Sequence, residues 1–172
     1  MIESCIVRRQ TGMTLLGAVV TLTILSIMLS VGLPQLNRQV QARALRLDAR
    51  ALAALVRQAR SLSLETPQTL MLCGSRDGKQ CDDKGWQQVI LRLADGSRLQ
   101  HLRLQGDEHV VWRGVSTPLI FHHRWRHNFL NGTFSLCPIQ DTDIAAWRII
   151  ISRLGRPRLV RVPNDPRCAP TP

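Results

Sequence analysis

Near its C-terminus the chain reads Trp147-Arg148-Ile149-Ile150-Ile151-Ser152-Arg153-Leu154-Gly155-Arg156-Pro157-Arg158-Leu159-Val160-Arg161, two apolar strands around a turn crowded with guanidinium groups. Gly155 admits a positive φ, so the chain can reverse tightly there. Pro157 fixes its own φ and drives Arg156 toward an extended conformation. Side chains two apart on an extended chain share a face, so Arg156 and Arg158 are expected to project together, with Arg161, Arg153 and Arg148 as flanking cations. Planar guanidinium forks suit phosphate oxygens. Contacts of that kind grip a nucleic-acid backbone without reading bases, so binding would be sequence-independent and salt-sensitive. The plain alternative is a hairpin turn with solvated arginines.

A second basic cluster is His122-His123-Arg124-Trp125-Arg126-His127. Trp125 could stack on a base, and the histidines would add charge below about pH 6.5. The expectation preferred here is that Trp125 and Phe129 plug the edge of the core, because aromatic residues more often pack than bind. Adjacent histidines can chelate a metal, but the sequence places no third ligand, and neither His122 nor His123 stands at ligand spacing from a cysteine. No metal or cofactor is expected. The chain has no G-x-S-x-G, no H-E-x-x-H and no glycine-rich phosphate loop, so no enzyme activity is expected. Asp82-Asp83 and Asp107-Glu108 read as acids of polar turns.

The charge balance agrees with a polyanionic partner. Lys and Arg number 23 against 12 Asp and Glu in 172 residues, a net charge of +11, and the only lysines are Lys79 and Lys84. Nucleic acid, anionic lipid and acidic glycans all fit such an excess, and charge alone does not choose among them.

The elements that would position these residues begin at the other end of the chain. Met13 to Leu33 carries no charge, follows Arg8-Arg9, and is stopped by Pro34. At 1.5 Å per residue this run rises about 31 Å, enough to cross a bilayer core. The arginines would keep its start on the cytoplasmic side. A secretory signal cut near Ser30-Val31-Gly32 is the rival, and an uncleaved anchor is the plainest reading. Beyond Pro34, Leu36, Val40, Ala44, Leu47, Ala51, Leu55 and Leu62 keep a three-to-four spacing, so an amphipathic helix is expected to Thr66-Pro67, roughly 75 Å in all. The opposite face, with Arg38, Arg43, Arg46, Arg50, Arg57 and Arg60 against Asp48, is expected to be solvated. Strands are expected at Gln68–Cys73, Trp86–Leu93, Arg98–Leu104, Val110–Trp112, Thr133–Leu136, Trp147–Ser152 and Leu159–Val162. The fold class is α+β: a long helix against one or two antiparallel sheets.

In an exported chain, four cysteines beyond Cys5 imply two disulfides, with three possible connectivities. Cys73 is paired here with Cys81, closing a polar turn, and Cys137 with Cys168, tying the tail to a strand. Disulfides place the domain in the periplasm or outside.

The N-terminus, Arg8-Arg9-Gln10-Thr11-Gly12 before Met13-Thr14-Leu15-Leu16, resembles that of type IV pilins and pseudopilins. The resemblance implies a prepilin peptidase that cuts between Gly12 and Met13, N-methylation of Met13, and a helix that sits in the inner membrane before joining other pilins. Removing residues 1–12 takes away Arg8, Arg9 and Glu3, which lowers the net charge from +11 to +10. The implied organisation is a leader at 1–12, a membrane or filament-core helix at 13–35, its amphipathic half at 36–66, a β-rich domain at 67–162 and a tail at 163–172. Pilins usually carry glutamate at the fifth mature position, where this chain has Gly17, which counts against an abundant shaft subunit.

The cysteine-bounded loop Leu72 to Cys81 followed by Trp86, and the strand Asn131-Gly132-Thr133-Phe134-Ser135-Leu136-Cys137, resemble the GspH/FimT group of minor pilins. Gly155, Arg156 and Arg158 match the GRxR pattern of FimT-type members. That match implies contact with double-stranded DNA during uptake for natural transformation. Two other readings stay open: a GspH-like pseudopilin of type II secretion or pilus-assembly subunit without DNA affinity, and an adhesin for acidic glycans.

Overall fold

The computed structural model describes residues 14–82, 85–106, 108–124, 129–139, 141 and 143–168. The expected cleavage point at Gly12 and Met13 lies outside them, as do Asp83, Lys84, Asp107, Trp125, Arg126 and His127. Helix α1 spans Leu15–Glu65, and the chain divides into two compact units, one ending at Asn37 and one starting at Arg38.

In the first unit Thr14 caps the helix. Its Oγ1 accepts from the Gly17 amide at 3.3 Å and its carbonyl accepts from the Ala18 amide at 3.1 Å. The apolar side chains that follow are exposed, Leu15 at 84% and Met28 at 67% among them. An 18-residue window here has mean hydropathy 2.2, so the helix is long and apolar enough to cross a membrane. Thr21, Thr23 and Ser30 donate their hydroxyls to the carbonyls of Ala18, Val20 and Ile27, which keeps polar hydrogens off that apolar surface. Pro34 lies inside the helix and removes one of its backbone bonds.

The second unit contains the core. Its half of α1 buries Leu45, Ala49, Leu52, Ala53, Val56 and Ala59. The stripe expected from sequence is corrected here: Leu47 and Val40 are exposed, at 63% and 55%, and Leu55 is the one expected member that is fully buried. The buried stripe, Leu45, Ala49, Leu52, Val56 and Ala59, keeps the same three-to-four spacing one residue further on, so the expected face was turned by about 100°. Asp48 also leaves the solvated face assigned to it. It is buried, and its Oδ2 accepts from the amides of Gln105 and Gly106 at 2.9 and 2.7 Å. Those bonds offset the cost of burying the carboxylate.

Among the described residues eight strands follow: β1 Leu70–Ser75, β2 Gln88–Leu93, β3 Arg98–Arg103, β4 Glu108–Gly114, β5 Leu119–Phe121, β6 Gly132–Pro138, β7 Ala146–Ile151 and β8 Pro157–Val162. They form two antiparallel four-stranded sheets, ordered β3-β2-β1-β5 and β4-β6-β7-β8. The β5 strand was not expected: three residues are too few for alternation to show, and it exists because Leu72 pairs with Leu119. Between helix and sheets sit Phe121, Phe134, Leu70, Leu72 and Ile149, all fully buried. Trp86 meets Phe134 edge-on at 4.7 Å between ring centres, and Trp112 lies 4.4 Å from the same ring. The architecture is therefore α+β, a long N-terminal helix with two antiparallel sheets.

Cys73 is bonded to Cys81 and Cys137 to Cys168. The second bond draws the 3-10 turn Pro166–Cys168 onto β6.

Candidate nucleic-acid interface

The arginine-rich turn joins β7 to β8, whose register pairs Ile149 with Leu159, Ile150 with Arg158 and Ile151 with Pro157. The ladder continues one step further, where the Ser152 amide donates to the Arg156 carbonyl at 3.1 Å. The Gly155 amide closes the turn by donating to the Ser152 carbonyl at 2.9 Å. Gly155 has φ +73°, the left-handed residue that ends a three-residue hairpin loop. Arg156 is tied back a second time, its amide donating to Ser152 Oγ at 3.1 Å.

Strand alternation now assigns the faces. Ile149, Ile151 and Leu159 point toward the core, so Ile150, Arg156 and Arg158 lie on the outer side, where both arginines are exposed. The flanking arginines do not join them equally. Arg161 pairs with Trp147 and takes the inward-pointing alternation, opposite to Arg158. Arg153 sits in the turn with its guanidinium 4.5 Å from the centre of the Phe129 ring. Arg148 is on the outer face but is held by Asp165, whose carboxylate takes Nε at 2.5 Å and Nη2 as a bidentate pair. Asp165 is buried, and the Arg148 hydrogen bond, aided by the Arg167 amide, draws its carboxyl below the ordinary 3.8; the same bond raises Arg148.

Phe129 corrects a second expectation. It is 54% exposed beneath Arg153, while its neighbour Leu130 fills the core edge. Leu130 could do so because its amide donates to the Arg153 carbonyl at 3.3 Å, which seats the loop against the hairpin. In the second basic cluster, His123 Nδ1 donates to the Ser63 carbonyl at 3.2 Å and His122 Nδ1 lies 3.5 Å from Thr69 Oγ1. Both histidines thus tie this segment to the end of α1 and the start of β1.

The basic face of α1 is likewise not wholly solvated. Arg38 reaches Asp141 at 2.7 Å, and Arg60 Nε donates to the Leu154 carbonyl at 2.8 Å. Arg43, Arg46, Arg50 and Arg57 remain exposed. Sequence reasoning also missed Arg113. It is exposed on β4 and paired with Thr133, which in turn pairs with Ile150, so it belongs to the same outer face as Arg158. Only strand register could have revealed it. Among the described residues no cluster of three or more His, Cys, Asp or Glu is arranged to hold a metal.

Such an arrangement can bind phosphate oxygens by charge-assisted hydrogen bonds. Comparison with known proteins then identifies the fold. The family model of type II transport protein GspH matches residues 48–155, well over half of the chain; Arg156, Arg158 and Arg161 lie just beyond the matched segment. Two structures of the type IV minor pilin FimU from Pseudomonas aeruginosa resemble it. One is 22% identical, with TM-score 0.51, covering 67% of this chain and 91% of that one. The other is 21% identical, with TM-score 0.52, covering 70% and 89%. The minor pseudopilin EpsH from the type 2 secretion system of Vibrio cholerae is 14% identical, with TM-score 0.51, covering 70% of this chain and 98% of that one. No curated protein matches the sequence. The helix with two antiparallel sheets is thus the pilin fold, and the chain belongs to the GspH family, the minor pilins and pseudopilins of the GspH/FimT group.

Proposed function

We propose that this chain is a minor type IV pilin that binds double-stranded DNA through backbone contacts and serves DNA uptake in natural transformation. One observation carries the reading: Arg156 and Arg158 are exposed side by side on the outer face of a hairpin whose turn is held by Gly155, Ser152 and Arg60. Preformed placement lowers the ordering cost of binding. Arg153 borders the pair; Arg148 is already engaged by Asp165 and Arg161 takes the other face, so both are secondary. In this reading prepilin peptidase cuts between Gly12 and Met13, and the helix sits in the inner membrane with residues 38–172 in the periplasm. The subunit then joins other pilins at the cell surface, and Gly17 suits a tip or low-copy position.

The test is a gel-shift titration of residues 38–172, the unit that holds the whole buried core, with disulfides intact and random duplex DNA. Affinity should fall steeply between about 50 and 200 mM salt. The Arg156→Gln/Arg158→Gln variant should lose binding while its stability stays within about 0.5 kcal/mol of the parent, as surface substitutions do. The match to type II transport protein GspH favours a second reading, a structural subunit of a secretion pseudopilus. Folded protein that fails to bind DNA at low salt would leave that reading standing.

A further inference from the structure

The outer face of the second sheet is divided into two halves. One half is covered: Ser135 and Cys137 are buried there, beneath a tail that the Cys137–Cys168 bond and the Arg148–Asp165 ion pair hold down. The other half is open and consists of two cross-strand rows. Arg113, Thr133, Ile150 and Arg158 lie in register across β4, β6, β7 and β8. The row nearer the hairpin tip continues with Asn131, Ser152 and Arg156. No carboxylate belongs to either row. Ile150, in the middle, is 40% exposed, an uncovered apolar side chain between two arginines.

Adjacent strands lie about 4.8 Å apart, so Arg113 and Arg158, three strands apart, have backbones roughly 14 Å from one another. The minor groove of B-DNA is about 6 Å wide, and the phosphorus atoms that border it stand further apart than that by the radii of the two phosphates. Two arginines at the edges of this shelf therefore reach the two backbones that border one minor groove. We propose that the open half of this sheet face is a duplex-straddling platform, on which Arg156 and Arg158 hold one strand and Arg113 holds the other. Thr133 and Ile150 then underlie the groove between them. This inference rests on the DNA-binding reading and extends it: the partner is specifically duplex, and single-stranded DNA engages only the hairpin anchor.

The test uses the full chain in nanodiscs of zwitterionic lipid, titrated with a short random-sequence duplex and with one strand of it. Arg113→Gln should weaken duplex binding about three- to tenfold and flatten the slope of log affinity against log salt by about 0.9. Its affinity for the single strand should be unchanged, and Arg113→Lys should keep the parent slope. Arg43→Gln, which removes an equal charge from an exposed position on α1, should change neither. Equal effects of Arg113→Gln and Arg43→Gln on duplex, or the same loss on single-stranded DNA, would overturn the platform. Loss of binding in the Arg156→Gln/Arg158→Gln variant with Arg113→Gln neutral would overturn the second anchor alone. A parent chain that binds no duplex would overturn both this inference and the proposed function.

Discussion

Arg60 Nε donates to the carbonyl oxygen of Leu154 at 2.8 Å, joining positions 94 residues apart. The bond runs from the helix to the tip of the arginine hairpin, beside the two residues proposed to touch DNA. A hairpin tip is normally among the least ordered parts of a domain. Here the helix, the Leu130 amide and the Ser152 hydroxyl each hold it.

Arg60→Ala removes the helix's hold. The lost hydrogen bond is near the surface, where water can replace it, so the cost should be about 1 kcal/mol. Urea unfolding of residues 38–172 should show a lower midpoint at unchanged m. DNA affinity should fall as well, although Arg156 and Arg158 are intact. An unchanged midpoint would mean that the bond contributes nothing to the fold.

Gly155→Ala tests the turn. The left-handed backbone there costs a β-carbon about 1–2 kcal/mol, and the new methyl would come within 3.0 Å of Leu130 Cδ1. Gly155→Asn should be tolerated better on the backbone side, since Asn visits that region more readily. Thermal melts of the two variants would check the order; equal melting temperatures in parent and alanine variant would contradict it.

The pH dependence of the tail follows from Asp165. Its folded pKa is lowered, first by the Arg148 hydrogen bond, while the unfolded chain has the ordinary value of 3.8. The ion pair therefore stabilises the fold fully above about pH 4, and that contribution is lost as pH falls through the lowered folded value. Asp165→Asn should cost about 2 kcal/mol at pH 7, the scale for one partner of a buried charged pair that keeps some of its hydrogen bonds. The gap between parent and variant should close in strong acid. Paired urea curves at pH 7 and in acid give the comparison, and a gap independent of pH would refute the assignment.

Much of this site could be read directly from residue types. Gly155 before Arg156 and Arg158 specified the turn and the shared face, because positive φ and strand alternation are local properties of the backbone. Pairing Cys73 with Cys81 needed only their nearness in sequence. The long helix was visible in an uncharged run followed by three-to-four spacing.

What the sequence alone determined, then, was whatever depends on neighbours within a few residues: the apolar helix, the hairpin turn, most of the strands and the basic excess. What only the tertiary structure decided depends on which surfaces meet. Burial followed the stripe Leu45, Ala49, Leu52, Val56 and Ala59 and left Leu47 outside, because an Ala- and Leu-rich helix offers two neighbouring stripes of the same spacing and only the sheets choose which one packs. Asp48 is buried because the Gln105 and Gly106 amides, 57 and 58 residues away, happen to converge on it. Arg148 was withdrawn from the surface set by Asp165, and Arg113 was added to it by strand register. Long-range pairings of this kind are fixed by the packed whole, since each becomes favourable only after both surfaces have lost water together.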